Sequence, residues 1–227
     1  MKNIILEANN IKKCYDKEYV LDLENIKIYK GSFNFLIGPN GSGKTTLLNI
    51  LSMIDTDFKG HIFYKGHKVK KDKVDVLELR RKFSVIWQNP YLFKGSIAYN
   101  IGLPLKLRQM KDRKVEKKVR EISEELEITH LLDKSHNELS GGERQKASIA
   151  RALITDPEIL FIDEPNNSLD YESSRYFNNL FSKLIEEGIT ILLITHDLYQ
   201  IENYADYITL LDNGRVLKSG LYENMEI

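Results

Sequence analysis

Apolar positions fall into two patterns along this chain. In the first, residues 4–8, 20–28 and 32–37 read as strands, with Gly31 as the turn between the last two. The third of these is a nearly continuous apolar run, as required of a strand buried on both faces of a parallel sheet. Residues 44–54 then read as a helix with Leu47, Leu48 and Leu51 on one face. Residues 60–66 look like half of a small hairpin, 68–73 like a charged, solvated surface segment, and 83–87 like another buried strand. From residue 89 to about 157 the second, helical pattern takes over. Residues 111–126 carry Val115, Val119, Ile122 and Leu126 at helical spacing among charges, an amphipathic surface helix, and 142–154 read as a helix opened by a glycine pair. After Pro157, strand and helix alternate again: strands at 159–162, 190–195 and 207–211, a helix at 173–187, and a hairpin signal at Asn213-Gly214. Alternation on both sides of a helical stretch argues for an α/β domain spanning 1–227. Its core, residues 1–88 and 158–227, is interrupted by a helical subdomain at 89–157.

Composition narrows this further. The chain has 227 residues, enough for one sizeable core. Lysine plus arginine equal aspartate plus glutamate at 33 each, so no bulk attraction to nucleic acid or anionic lipid is expected, and no nucleic-acid partner. The single cysteine, Cys14, allows no intramolecular disulfide, which fits a reducing compartment. Glu7 interrupts the N-terminus before a signal-peptide apolar region could develop. The apolar run at 189–194 is far too short to span a bilayer, so a chain soluble by itself is expected.

The chemistry begins where the strand at 32–37 meets the helix at 44–54. Gly38-Pro39-Asn40-Gly41-Ser42-Gly43-Lys44-Thr45 fits the phosphate-binding P-loop pattern: Gly, four free positions, then Gly-Lys-Thr. Its glycines let successive backbone N–H groups face a phosphate at the positive end of the following helix, and Thr46 continues the turn. In such loops the lysine, here Lys44, reaches the β- and γ-phosphates of ATP as a point charge. The hydroxyl of Thr45 coordinates Mg²⁺. The strand at 159–162 ends in Asp163-Glu164; the first acid of such a pair holds Mg²⁺, usually through water.

Leu139-Ser140-Gly141-Gly142-Glu143 would be an arbitrary string alone. With the P-loop before it and Phe161-Ile162-Asp163-Glu164 after it, it makes nearly the whole chain resemble the nucleotide-binding subunit of ATP-binding-cassette (ABC) proteins. The resemblance implies a P-loop NTPase (RecA-like) core with a small antiparallel β subdomain and an inserted α-helical subdomain. It implies an ATPase with Glu164 as general base and His196 on the γ-phosphate. Gln88, where strand gives way to the helical stretch, would contact Mg²⁺ or the attacking water; Trp87 stands beside it where phenylalanine is commoner. Ser140, Gly141 and Gly142 would meet the γ-phosphate held by a second copy, and Asp170, after Ser168-Leu169, would cross the interface between copies. Tyr15 would stack on adenine, with Tyr19 and Tyr29 as competitors. The other four histidines (His61, His67, His130, His136) match nothing in the family pattern.

The partners implied are a second copy or a paired homologous ATPase, two integral-membrane permease subunits and an extracytoplasmic solute-binding protein, at the cytoplasmic face of the membrane. Residues 88–93 and 100–106 resemble the segments with which importer ATPases grip their permease. Shortness and Leu79-Arg80-Arg81-Lys82 point toward oxyanion (tungstate, phosphate) or polar amino-acid import. The alternative is an ABC ATPase that powers lipoprotein release, drug export or cell division. Soluble repair and translation ATPases are disfavoured: only about 95 residues separate Lys44 from Ser140, and there is one cassette.

Overall fold

A computed structural model describes residues 3–16, 18–165 and 171–225. In chain order the elements are β1 (Ile4–Tyr15), β2 (Glu18–Tyr29), β3 (Phe33–Ile37), α1 (Lys44–Leu51), β4 (Lys59–Tyr64), β5 (His67–Lys68), α2 (Lys73–Lys82), β6 (Phe83–Ile86), α3 (Ile97–Leu107) and α4 (Asp112–Glu125). Then follow α5 (Gly141–Leu153), β7 (Ile159–Asp163), α6 (Tyr171–Glu186), β8 (Thr190–Ile194), α7 (Leu198–Tyr204), β9 (Tyr207–Asp212) and β10 (Arg215–Leu221).

Two sheets form. One is antiparallel, in the order β2-β1-β4-β5; the other runs β10-β9-β3-β8-β7-β6. In the second, β9, β3, β8, β7 and β6 are parallel to their neighbours, and only β10 is antiparallel, joined to β9 through the Asn213-Gly214 turn. Every residue of β3, β7 and β8 is buried. Successive side chains enter different cores: Phe33, Phe35 and Ile37 pack with α3, α4, α5 and α6, whereas Leu36 packs with α1, β1 and β2. A two-sided strand therefore needs apolar residues at nearly every position, each worth about 1.5–3 kcal/mol on burial. The helical stretch forms α3, α4 and α5. Val115 and Val119 of α4 are buried where the helix crosses Gly102 of α3, and a Cβ at Gly102 would lie 2.8 Å from Val115.

The expected elements differ from the observed ones in a few places. The strand at 4–8 continues to Tyr15, because Ile11 and Lys13 alternate inward beyond it and pair with Leu23 and Leu21 of β2. The helix at 44–54 stops at Leu51, since Met53 takes a positive φ of 61° that ends the turn. The half-hairpin at 60–66 is completed by the short β5 across a Lys65-Gly66 turn. Residues 68–72 lie along the surface as expected, but Lys73 already belongs to α2, capped by Asp72, whose side chain accepts from Val74 and Asp75. A further unexpected helix is α7, capped by Asp197 through Tyr199 and Gln200.

Candidate functional site

The P-loop crosses from β3 to α1 with its backbone pressed against two other elements. Gly38 has φ 147°, and a Cβ there would come within 1.9 Å of the Leu211 carbonyl. Gly43 has φ 100°, and its Cβ would meet Leu21 and the Val20 carbonyl at about 3 Å. Only glycine satisfies both demands. A hydrogen bond from Gly214 N–H to the Ser42 carbonyl, 3.0 Å, ties the loop to the β9–β10 turn.

This cradle fits a phosphate. Ser42 is buried and its hydroxyl has no hydrogen-bond partner among the described residues. The Lys44 ammonium, also buried, donates to the Gly38 and Pro39 carbonyls at 2.9 Å each. Burial pulls its pKa down, opposed by the negative charges of Glu164 and Asp163. Thr45 donates its hydroxyl proton to Asp163 Oδ2 at 2.9 Å, joining positions 118 residues apart. Asp163 ends β7; burial raises its pKa, while the Thr45 hydrogen bond lowers it. A carboxylate and a hydroxyl in contact at the mouth of a phosphate cradle are the oxygen donors that Mg²⁺ takes.

Glu164 is next to Asp163 but turned by a left-handed backbone, φ 44°, an unfavourable conformation of the kind that collects at functional sites. Its N–H is held by the Ile194 carbonyl of β8 at 3.0 Å. The side chain spans two residues: Oε1 lies 2.7 Å from Nε2 of His196, and Oε2 accepts from Nε2 of Gln88 at 3.3 Å. Asn40, Gly41, Gly43, Lys44, Thr45, Thr46, Gln88, Asp163 and Glu164 line one open depression of about 620 Å³, together with Val20. Val20, which with Leu21 follows Tyr15 at the distance usual in the family, is the lining residue that the sequence does not itself assign to the site.

Other expected residues stand apart from it. Ser140 caps α5: its Oγ accepts from Glu143 N–H at 3.3 Å while Glu143 accepts from Ser140 N–H at 2.8 Å, a reciprocal capping box. Ser140 and Gly141 are exposed, Gly142 partly so, and none of the three lines the depression. Tyr15 ends β1 half-exposed, also outside the depression, and Tyr19 is more exposed still. Tyr29 is removed as a competitor because its ring stacks on Tyr207 at 3.7 Å. Asp170, Ser168 and Leu169 lie outside the described residues.

A second concave surface lies where β6, α3 and α5 meet. Phe93, Leu103, Pro104, Leu107, Arg108 and Arg151 line a groove of about 300 Å³ with Ser84 and Thr155. Buried Asn100 shapes one edge: it accepts from Phe93 N–H at 2.7 Å and donates to the Phe93 carbonyl at 2.9 Å. Arg151 stands 5.9 Å from the Phe93 ring, with its pKa lowered by burial. Tyr91 packs edge-on against Phe93 and is mostly exposed.

Fold and site together define a P-loop ATPase cassette. Residues 21–167 match the family model described as ABC transporter, and the chain belongs to that family. It is 38% identical over 215 residues to the tungstate uptake system ATP-binding protein TupC of Peptoclostridium acidaminophilum, covering 93% of this chain and 96% of that one. It is 31% identical to the phosphate import ATP-binding protein PstB of Thermotoga maritima, over 95% and 90% of the two chains. Among solved structures it resembles the ATP-binding cassette MJ0796, a dimer in a post-hydrolysis state bound to ADP and Pi, with TM-score 0.88, 29% identity and coverage of 97% and 100%. The chain binds and hydrolyses ATP as an ABC ATPase. Among the described residues, no helix is long and apolar enough to cross a membrane.

Proposed function

We propose that this chain is the ATP-hydrolysing subunit of an import system, working as a pair of identical copies or with a homologous ATPase. The carrying observation is the arrangement of the site: Lys44, Thr45, Asp163, Glu164 and Gln88 line one depression, His196 stands behind it on Glu164, and the exposed cap of α5 does not reach it. A helix N-terminus with free N–H groups is an anion site. Ser140, Gly141 and Gly142 therefore serve the γ-phosphate of a second copy, with Asp170 at the interface between copies.

Within one copy, the P-loop amides, Lys44 and the Ser42 hydroxyl hold the phosphate chain. Thr45, Asp163 and Gln88 would hold Mg²⁺. Bound Mg²⁺ supplies charge neutralisation on the β- and γ-phosphates. Glu164 accepts a proton from the attacking water, and His196, which shares a hydrogen bond with it, orients that carboxylate and reaches the γ-phosphate. Tyr15 stacks on adenine. Gln88 begins the segment that leads into the helical subdomain, residues 89–157, and so links the metal to the groove at Phe93.

That groove seats a cytoplasmic segment of the membrane permease. Exposed Tyr91, Phe93 and Leu107 supply apolar contacts at its rim, and the chain then sits peripherally at the cytoplasmic face of the membrane. An extracytoplasmic binding protein delivers the solute. Relatives named for tungstate and phosphate support an oxyanion, and relatives named for methionine and glutamine keep an amino acid as the competing solute. Purification from membranes in detergent, identification of the co-purifying subunits and reconstituted uptake of tungstate against glutamine test the proposal. Isolation with subunits of a lipoprotein-release or export complex refutes it.

A further inference from the structure

A buried lysine stands against the half-exposed ring of Tyr15, and the mechanism so far makes no use of it. Lys13 is only 5% exposed, rare for a lysine unless paired. Its ammonium lies 2.9 Å from Asp55 Oδ2 and 3.3 Å from Asp57 Oδ2, and it also donates to the Asp57 carbonyl. It stands 4.9 Å from the centroid of the Tyr15 ring, over one face. The Tyr15 hydroxyl reaches the same Asp55 carboxylate at 3.4 Å. Asp55 is in turn anchored to α1, its N–H donating to the Asn49 carbonyl at 3.0 Å. The first turn of that helix carries Lys44 and Thr45.

Lys13 and Asp55 thus connect the Tyr15 ring to the far end of the phosphate-binding helix. We propose that Lys13 is a positioning residue for the nucleotide base. With Asp55 it holds the Tyr15 ring and covers one of its faces, leaving the other to stack on the base. The inference rests on the reading of Tyr15 as the adenine platform and adds what fixes that platform. A ring held at a set distance from the phosphate cradle before nucleotide arrives saves the cost of ordering it on binding. An ammonium against one face draws on the ring's π density, and the free face stacks on any base without reading its edges. Lys13 therefore contributes to the affinity for nucleotides of any base, and contributes nothing for a bare triphosphate chain.

Calorimetric titration of ATP, GTP and inorganic tripolyphosphate separates these effects. Wild type is compared with Lys13→Met, Lys13→Arg, Tyr15→Ala and the double variant Lys13→Met/Tyr15→Ala. Lys13→Met is expected to weaken ATP and GTP alike by about two- to fivefold, the size of a cation–π contact on a half-exposed ring. KM for ATP should rise with kcat unchanged, tripolyphosphate binding should stay the same, and Lys13→Arg should restore most of the loss. The double variant should bind ATP no more weakly than Tyr15→Ala alone. If Lys13→Met does not fold, Asp55→Asn, which keeps shape and removes the charge, carries the same expectations. Normal ATP binding by the Lys13 variant beside weakened binding by Tyr15→Ala overturns this inference and leaves the platform standing. Normal binding by Tyr15→Ala removes the platform and the inference together. Equal loss for tripolyphosphate makes Lys13 a support of α1 and overturns its role toward the base.

Discussion

Glu143 offers a test of how the proposed second phosphate-reading element, the cap of α5, is held. Its carboxylate accepts from the Ser140 backbone N–H at 2.8 Å and pairs with the Lys134 ammonium at 3.0 Å. These contacts, the Ser140 N–H first, bring its pKa from an ordinary 4.5 down to about 2. At 1.36 kcal/mol per pH unit, unscreened linkage corresponds to about 3 kcal/mol of folding stability. The side chain is still 28% exposed, so solvent screening reduces this to roughly 1–2 kcal/mol, the range of a helix cap. The folded pKa lies below the unfolded one. The contribution is therefore complete above about pH 4.5 and is lost as pH falls toward 2. Urea unfolding of wild type and Glu143→Ala across that range reads the difference directly. The two curves should be separated by roughly 1–2 kcal/mol at neutral pH and converge under acid. Glu143→Gln, which can still accept from Ser140 N–H, should fall between them. A separation independent of pH, or none at neutral pH, refutes the capping box as the source.

The remaining predictions concern the nucleotide. Lys44→Ala removes the charge opposing the β- and γ-phosphates and should abolish ATP hydrolysis; near-normal turnover would refute the cradle. Gln88→Ala should slow turnover and uncouple it from the membrane subunits while ATP affinity, by titration, stays close to normal. A large affinity loss would place Gln88 in binding instead. Glu164→Gln keeps shape but cannot take the proton from water, so ATP should persist and hold two copies together in sedimentation, whereas ADP should not. Adding Ser140→Arg should dissolve that dimer without preventing ATP from binding each monomer, and an ATP-bound Glu164→Gln protein that stays monomeric speaks against the shared site.

What could be read from the chain follows from how locally each feature is encoded. Strands β3, β7 and β8 are legible because both faces are buried, so their apolar runs leave no ambiguity. The P-loop is legible because its backbone conformation is carried by glycines at 38, 41 and 43, all with positive φ. The second half of β1 is not, since Asn9, Asn10, Lys12 and Lys13 look polar. Lys13 is nevertheless buried because its partners Asp55 and Asp57 arrive from 42 and 44 residues away. Helices α2 and α7 each bury only two residues, too few for a period, and their remaining signals are the caps Asp72 and Asp197. Thr45 and Asp163 are each identifiable by motif, but their contact depends on β3 and β7 flanking β8 in the same sheet.

The same topology places coupling in this site. Both acids stand at the end of β7, and His196 follows β8, the strand beside it; these groups are therefore carried on the ends of adjacent strands. Gln88 follows β6 at the sheet's edge and contacts Glu164 through a 3.3 Å hydrogen bond. Beyond it the chain runs through Tyr91 and Phe93 into α3, and α3 packs against α4 and α5, whose first residue follows Ser140. With the site residues in the roles proposed, a change in charge at the γ-phosphate would act on Glu164 and Gln88 first. A movement of Gln88 would have a path to the groove at Phe93 and to the cap of α5 through one contiguous set of packed elements. Two sites that bias the same movable element are thermodynamically linked in both directions. If the groove seats a membrane segment as proposed, its occupation should therefore alter nucleotide turnover, and hydrolysis should alter the hold on that segment.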